Sequence, residues 1–340
     1  MPEEMTYSKA GVSIERENLA IKSITQILQK TFKFRKGKVG EVMQDIGTFA
    51  NVIDMGDFAL AMSTDGIGTK VLVAQELNKY DTVGIDMVAM NVNDILCLGA
   101  EPIAMVDYIA VRRIDPEIMR DISLGIHEGA KQADVAVVGG ETATLPDVIT
   151  GIGELGFDLA GTAIGVVAKD KIITGERIQV GDVVLGFKST GIHSNGMTLA
   201  RKVLPKNMWL DLLTPTRIYV KEVMILLKDY DVHGMAHITG GGLSNMLRIT
   251  SYGYVLDKLP TPKMTFKKIQ ELGKVSDKEM YKTFNMGIGF CVIVDEAAGE
   301  DIVKKYGSSW GISMIGAVVK EQGLKIIKED GTEVFYSGYS

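Results

Sequence analysis

Three acidic side chains stand where apolar or glycine-rich neighbours offer a carboxylate no evident partner. Asp65 follows an apolar run and opens Asp65-Gly66-Ile67-Gly68-Thr69-Lys70. Asp94 closes Asn91-Val92-Asn93-Asp94 inside an apolar stretch, with Asn91, Asp94 and Leu98 on one helical face. Glu141 sits in Val138-Gly139-Gly140-Glu141-Thr142, at the end of a second apolar run. Carboxylates are seldom placed in apolar surroundings without a partner or a cation. Mg²⁺ commonly takes one or two of them with phosphate oxygens and water, and glycines alongside let backbone N–H groups approach phosphate. Asp65, Asp94 and Glu141 as metal ligands, with Gly66, Gly68, Thr69, Lys70, Gly139, Gly140 and Thr142 near the phosphates, describe an ATP site. It is of a non-P-loop kind, because GxxxxGK[ST] is absent. Plainer readings exist: a tight turn with a surface lysine for 65–70, and a hydrogen-bonded buried aspartate for Asp94.

The second half offers an anion cradle. Ser189-Thr190-Gly191-Ile192-His193-Ser194-Asn195-Gly196 lies between a strand-like and a helix-like segment, where hydroxyls, amides and a helix N-terminus receive anions. His193 is the histidine placed to move a proton near neutral pH; an N-capping loop with an incidental histidine is the alternative. His237-Ile238-Thr239-Gly240-Gly241-Gly242 repeats the strand, glycine loop, helix order, and Phe284-Asn285-Met286-Gly287 enters another strand. His237 reads as a core histidine. Two pattern matches fail in context. Gly151 to Gly156 fits GxGxxG, but a strand follows it and no βαβ unit surrounds it. Gly307 to Gly311 fits GxSxG, but it follows a helix and precedes a strand, the reverse of a nucleophile elbow.

The elements that must hold these groups alternate. Helical periodicity covers 15–31, with Leu19, Ala20, Ile24, Ile27 and Leu28 inward, then 81–98 and 116–133. Strands read over 58–64, 102–111, 135–138 and 158–167. The polar stretch 169–182 reads as a connector and divides the chain into 1–168 and 169–340. Beyond it, strands fit 183–187, 235–238, 288–294, 312–319 and 324–327; helices fit 195–204, 216–229, 242–249, 276–283 and 297–306. The pattern is α/β or α+β in both halves, and 340 residues suit two domains. A net charge of −6 supplies no basic field for nucleic acid. The longest mainly apolar stretch runs only from Leu159 to Ala168, short of the roughly 20 residues of a membrane helix. The N-terminus has no hydrophobic signal region, and Cys97 and Cys291 form neither metal spacing nor a disulfide framework. A cytoplasmic enzyme without nucleic-acid or membrane partners is the expectation. Glycine is the compositional outlier, 38 of 340 residues, about 11% against a usual 7%, and the surplus concentrates in the loops named above.

In this order the motifs resemble the phosphoribosylformylglycinamidine cyclo-ligase (AIR synthetase) family. The resemblance runs through Ala10-Gly11-Val12, Asp65 to Lys70, Gly84 to Asp94, Gly99 to Pro102, Gly139 to Thr142 and Asp158 to Gly161. It continues through Ser189 to Gly196, Pro215 to Tyr219, Ala236 to Gly242 and Thr283 to Gly287. The first-half motifs are shared with a wider ATP-using superfamily that includes thiamine-monophosphate kinase; the second-half trio of 189–196, 236–242 and 283–287 is the specific part. The resemblance implies two αβ domains, the N-terminal one forming a β-barrel shared across a homodimer, with nucleotide near the interface. It implies that ATP drives closure of formylglycinamidine ribonucleotide to aminoimidazole ribonucleotide through an iminophosphate, releasing ADP and phosphate. On this reading Asp65, Asp94 and Glu141 hold Mg²⁺, and Lys70 meets phosphate. Ser189, Thr190, Gly191, His193, Ser194, Asn195, Thr239, Gly240, Gly241 and Asn285 bind substrate, and His193 and Lys70 are the catalytic pair. The chain departs from the family at Ser8-Lys9, in the glycine-poor stretch Gly40 to Ala50, at Thr144-Leu145-Pro146 and at Leu247. A small-molecule kinase of the superfamily and a non-catalytic nucleotide-binding relative are the competing readings.

Overall fold

Strand alternation and two long helices build the first half. The computed structural model describes residues 5–6, 10–11 and 14–339, with the side chains of 14–18 outside that description; Ser8, Lys9 and Val12 also fall outside it. Helix α1 (Ile14–Leu28) leads to strands β1 (Glu41–Val42), β2 (Asn51–Asp54) and β3 (Ala59–Gly66). Helices α2 (Lys70–Leu77) and α3 (Val83–Leu96) follow, then β4 (Glu101–Val111), α4 (Pro116–Ala133), β5 (Ala136–Thr144) and β6 (Phe157–Val167). The six strands lie in the order β1-β2-β3-β6-β4-β5. Ala59, Ala61 and Ser63 of β3 are buried between exposed Met62 and Thr64, and β6 alternates the same way from Phe157 to Val167, the period-two signature of a sheet with one covered face. Helices α3 and α4 cover that face. Their backbones touch where they cross: a Cβ at Gly84 would lie 2.2 Å from the Ile126 nitrogen, so the crossing requires glycine.

The second half contains β7 (Val183–Lys188), α5 (Met197–Val203), α6 (Trp209–Leu212), α7 (Val220–Asp229), β8 (Gly234–His237) and β9 (Gly253–Leu256). It ends with α8 (Met264–Gly273), α9 (Asp277–Thr283), β10 (Ile288–Val294), α10 (Glu296–Trp310), β11 (Ile312–Val319), β12 (Leu324–Ile327) and β13 (Glu333–Tyr336). These strands form a second sheet, β13-β12-β9-β11-β7-β10-β8. Strand β10 is buried along its whole length, as its unbroken apolar run suggests. The mixed α/β class and the two sheets agree with the sequence reading. Among the described residues, no helix is long and apolar enough to cross a membrane.

Three expectations need correction, and one helix has no counterpart among them. Helix α1 forms, but Leu19, Ile24, Ile27 and Leu28 are exposed, because nothing among the described residues covers its apolar stripe. The strand expected at 135–138 runs on to Thr144, so Gly139-Gly140-Glu141 lies inside an exposed edge strand rather than in a loop after it. The segment from Gly242 is a 3₁₀ helix to Arg248. Helix α2 was not legible, since Val71, Val73 and Ala74 bury different sides of a short segment and leave no stripe to detect.

Candidate active site

Strand β3 delivers Asp65 to the end of helix α3, and Asn91 fixes it there. Asn91 Oδ1 accepts the Asp65 N–H at 2.9 Å, and Asn91 Nδ2 donates to the Asp65 carbonyl at 3.2 Å and to that of Met87 at 2.8 Å. One turn further along α3, Asp94 Oδ1 lies 2.8 Å from Nδ1 of His237, which is fully buried at the end of β8. Asp65 Oδ1 accepts the Gly66 N–H at 2.7 Å. Burial, and then repulsion from Asp94, push the Asp65 carboxyl up to about 6, against the lowering effect of the Gly66 N–H and of His237. Two carboxylates pressed together in a partly dry setting are relieved by a divalent cation. This donor set fits Mg²⁺ with phosphate and water completing the shell.

Glu141 does not join the pair. Register carries Asp65 across to Gly161, Gly161 to Asp107, and Asp107 to Gly140. Residues in register share a face, so Glu141, one step on, points to the opposite side of the sheet. Among the described residues no three His, Cys, Asp or Glu side chains come together as a metal cluster. Within the described residues of this chain, Asp65 and Asp94 therefore come together and Glu141 stands apart. Gly139, Gly140 and Thr142 lie on the same exposed edge strand, away from Asp65. Gly140 serves a local need instead: a Cβ there would stand 2.3 Å from Asp107 Oδ1.

Lys70 also departs from expectation. Its amine is fully buried, 2.8 Å from Asp86 Oδ2, and it donates to Asp86 Oδ1 at 2.9 Å, the Thr214 carbonyl at 2.8 Å and the His193 carbonyl at 3.3 Å. Asp86 Oδ1 further accepts the Thr216 N–H at 2.8 Å and hydroxyl at 2.6 Å, and the Ser194 hydroxyl at 3.2 Å. Burial lowers the Lys70 affinity for its proton and Asp86 opposes that. Helices α2 and α3 are thereby tied to residues 193–194 and 214–216 of the second half at a buried polar hub.

Between the halves lies a cleft of about 440 Å³, lined by Asp65, Gly66, Gly68 and Thr69 on one side and by Ser194, Asn195, Thr198, Thr239 and Gly240 on the other. Thr69 Oγ1 and Thr198 Oγ1 bridge it at 2.9 Å. Asn195 Nδ2 is buried without a protein partner, a donor left over for a ligand. An adjoining cleft of about 540 Å³ shares Gly68 and Thr69 and adds Val71, Leu72, Val148, Ile149 and Phe157. Gly151 and Ile152 of the GxGxxG match line that second cleft, yet they belong to the β5–β6 connection and open no helix.

The rest of the 189–196 loop forms the wall behind the cleft. Ser189 donates to Asn285 Oδ1 at 3.0 Å, and Asn285 Nδ2 donates to the Gly191 carbonyl at 2.9 Å. The Thr190 hydroxyl donates to the Pro215 carbonyl. His193 Nε2 accepts the Thr190 N–H at 3.3 Å, while its buried Nδ1 has no partner. Burial first, then nearby His237, Lys70, Arg217 and Lys263, hold His193 well below the usual imidazole range, and the residue is buried. His193, the expected proton carrier, sits in this wall with φ of 61°. Ser189, Thr190, Gly191 and Asn285 likewise support the wall, while Gly241 flanks it.

Comparison with known proteins decides the family. The description "AIR synthase related protein, N-terminal domain" matches residues 47–167, and its C-terminal counterpart matches 179–329. A phosphoribosylformylglycinamidine cyclo-ligase of Thermococcus kodakarensis is 50% identical over 333 residues, spanning 95% of this chain and 98% of the relative. The chain belongs to the phosphoribosylformylglycinamidine cyclo-ligase family. As such it is an enzyme of the ligase class. The cyclo-ligase of Methanocaldococcus jannaschii is 50% identical over 317 residues, 88% of each chain. Hydrogenase maturation protein HypE in complex with ATP shares the fold at a TM-score of 0.63 and 19% identity, over 83% of this chain and 85% of that one. Thiamine-monophosphate kinase of Stenotrophomonas maltophilia does so at 0.61 and 18%, over 89% and 96%.

The polar groups of this chain that the sequence did not single out lie on α3. Asp86 and Asn93, seven residues apart, face the second half: Asn93 Nδ2 donates to the Arg217 carbonyl at 2.9 Å and Asn93 Oδ1 accepts the Tyr219 N–H at 3.1 Å. Asn91 and Asp94 face the end of β3. The signal was the same for both faces, polar groups in an apolar helix, but only the second face was read.

Proposed function

We propose that the chain uses ATP to close formylglycinamidine ribonucleotide to aminoimidazole ribonucleotide, a step of purine biosynthesis, with release of ADP and phosphate. The observation that carries this reading is the cleft uniting Asp65 and its glycine turn with Ser194, Asn195, Thr239 and Gly240, in a chain half identical to named cyclo-ligases. The neighbours solved with ATP or as a kinase support nucleotide use. A formamide oxygen leaves poorly; as an iminophosphate it departs as phosphate when the amidine nitrogen attacks. Phosphoryl transfer is catalysed mainly by positioning and charge neutralisation. Mg²⁺ held by Asp65 and Asp94 supplies that neutralisation when bound. Asn91 and His237 orient the two carboxylates, and the loop at 194–195 with the turn at 239–240 holds the substrate in its ring-closing shape. Domains of 1–168 and 169–340 and a cytoplasmic place complete the reading.

The test supplies ATP, Mg²⁺ and formylglycinamidine ribonucleotide to the purified protein. Aminoimidazole ribonucleotide is expected with one phosphate per ring closed. ADP with a stable phosphorylated product would establish the kinase reading instead, and absence of turnover the non-catalytic one.

The same reading includes a homodimer built on the uncovered sheet face. Met62, Val106 and Tyr108 share that face and are 38, 40 and 41% exposed, a continuous apolar surface of the kind that marks interfaces. Glu141 lies on it beside Tyr108. Sedimentation is expected to give two copies for the wild-type protein and one for Val106→Glu with Tyr108→Lys, with activity lost on separation. A wild-type monomer that turns over would overturn the dimer.

A further inference from the structure

We propose that Arg248 is a positioning residue of this site, a latch that ties the 43–50 loop and the chain's last described residues to the glycine turn bordering the cleft. The proposal rests on the reading of that cleft as the substrate site. Arg248 ends the 3₁₀ segment that starts at Gly242. Its Nε and Nη2 donate to the Gly47 carbonyl at 3.2 and 2.9 Å, Nη2 also to the Thr48 carbonyl at 2.8 Å, and Nη1 to Asn245 Oδ1 at 3.4 Å. The guanidinium carbon lies 4.4 Å from the ring centre of Phe49 and 5.1 Å from that of Tyr339.

Each contact draws on a property lysine lacks. A guanidinium is flat, so it stacks on aromatic faces while its edge still donates, and its fork reaches adjacent carbonyls together. Asn245 extends the network into the cleft wall, donating from Nδ2 to the Gly240 carbonyl at 3.1 Å and the Gly242 carbonyl at 2.9 Å. Tyr339 closes on the same turn. A Cβ at Gly241, whose φ is 101°, would stand 3.1 Å from its ring. Stretches near residues 48, 245 and 339 thus meet on one cation, and the turn they stiffen carries Thr239 and Gly240 of the lining. None of these groups touches the acid pair or the Lys70 hub. The latch therefore governs how tightly the ribonucleotide is held rather than the rate of its chemistry.

The test compares wild type, Arg248→Lys, Arg248→Met and Tyr339→Ala as full chains. First, chymotrypsin cleavage after Phe49 is timed without ligand. Phe49 is buried in the wild-type protein, and cleavage is expected to accelerate at least about tenfold in both Arg248 variants. Second, KM for the ribonucleotide is expected to rise about tenfold in those variants and about threefold in Tyr339→Ala, with kcat within threefold of wild type. Arg248→Lys is expected to fail like Arg248→Met. Full rescue by lysine would reduce the role to charge and overturn the latch, as would an unchanged KM or a fall in kcat alone. Tyr339 is 47% exposed, so its variant keeps the question open to measurement if an Arg248 variant does not fold. If the wild-type protein makes no aminoimidazole ribonucleotide, the functional reading fails separately. Unchanged cleavage in the variants would then still overturn the latch.

Discussion

Asp65→Asn is expected to slow turnover by at least about 10³-fold while making the empty protein more stable at pH 7.5. On the proposed function, the activity loss follows from removing one of the two carboxylates that would hold the charge-neutralising Mg²⁺, which weakens metal binding; a single lost electrostatic group at the transition state is typically worth about 10²–10³-fold. The stability gain follows from the raised Asp65 carboxyl. A carboxyl held near 6 rather than at 3.8 favours the folded state when protonated. Its contribution is full below about pH 4, and is lost as pH rises through about 6. Above that the ionised Asp65 opposes folding by about 3 kcal/mol, two units at 1.36 each. Asparagine carries no charge and retains an oxygen for the Gly66 N–H. Urea midpoints of metal-free protein measured from pH 4 to 8 should separate wild type from variant only on the alkaline side. Equal curves across that range would remove the argument.

Lys70→Met is expected to destabilise the protein by about 3–5 kcal/mol, since it strands the buried Asp86 charge with only neutral donors from Thr216 and Ser194. Asp86→Leu strands the Lys70 amine with two carbonyls and should lose as much. The double variant Lys70→Met/Asp86→Leu should lose less than the sum of the two, because the second substitution removes the orphan left by the first. Denaturant unfolding of the four proteins measures the coupling. A Lys70→Met protein with wild-type stability and only a raised KM for ATP would restore the phosphate role to this lysine.

The carboxylates, the glycine turns and their order were legible because each is a local string whose composition conflicts with its surroundings. Asp65, Asp94 and the 189–196 and 236–242 loops needed no partner to be noticed. Their separate fates were not legible, because burial and facing are set by register and by what crosses above. The string Asp65 to Lys70 looks like one phosphate loop, yet Asp65 opens onto the cleft while Lys70, five residues later at the start of α2, is buried against Asp86. Glu141 and Gly140 are neighbours, but only the pairing of β4 with β5 determines that Glu141 turns to the far face.

The sequence by itself determined the class of fold, the alternation of its elements and the family, and it marked the out-of-place carboxylates. These follow from periodicity, from turn chemistry and from carboxylates out of place, all readable within a few residues. Only the tertiary structure decided which polar groups line the cleft and which join the halves. His193 and Lys70 carry the most reactive side chains of their motifs, and both are buried. Long-range packing removed water from them, and the buried Lys70 amine spends its hydrogen bonds on the nearest carboxylate and carbonyls.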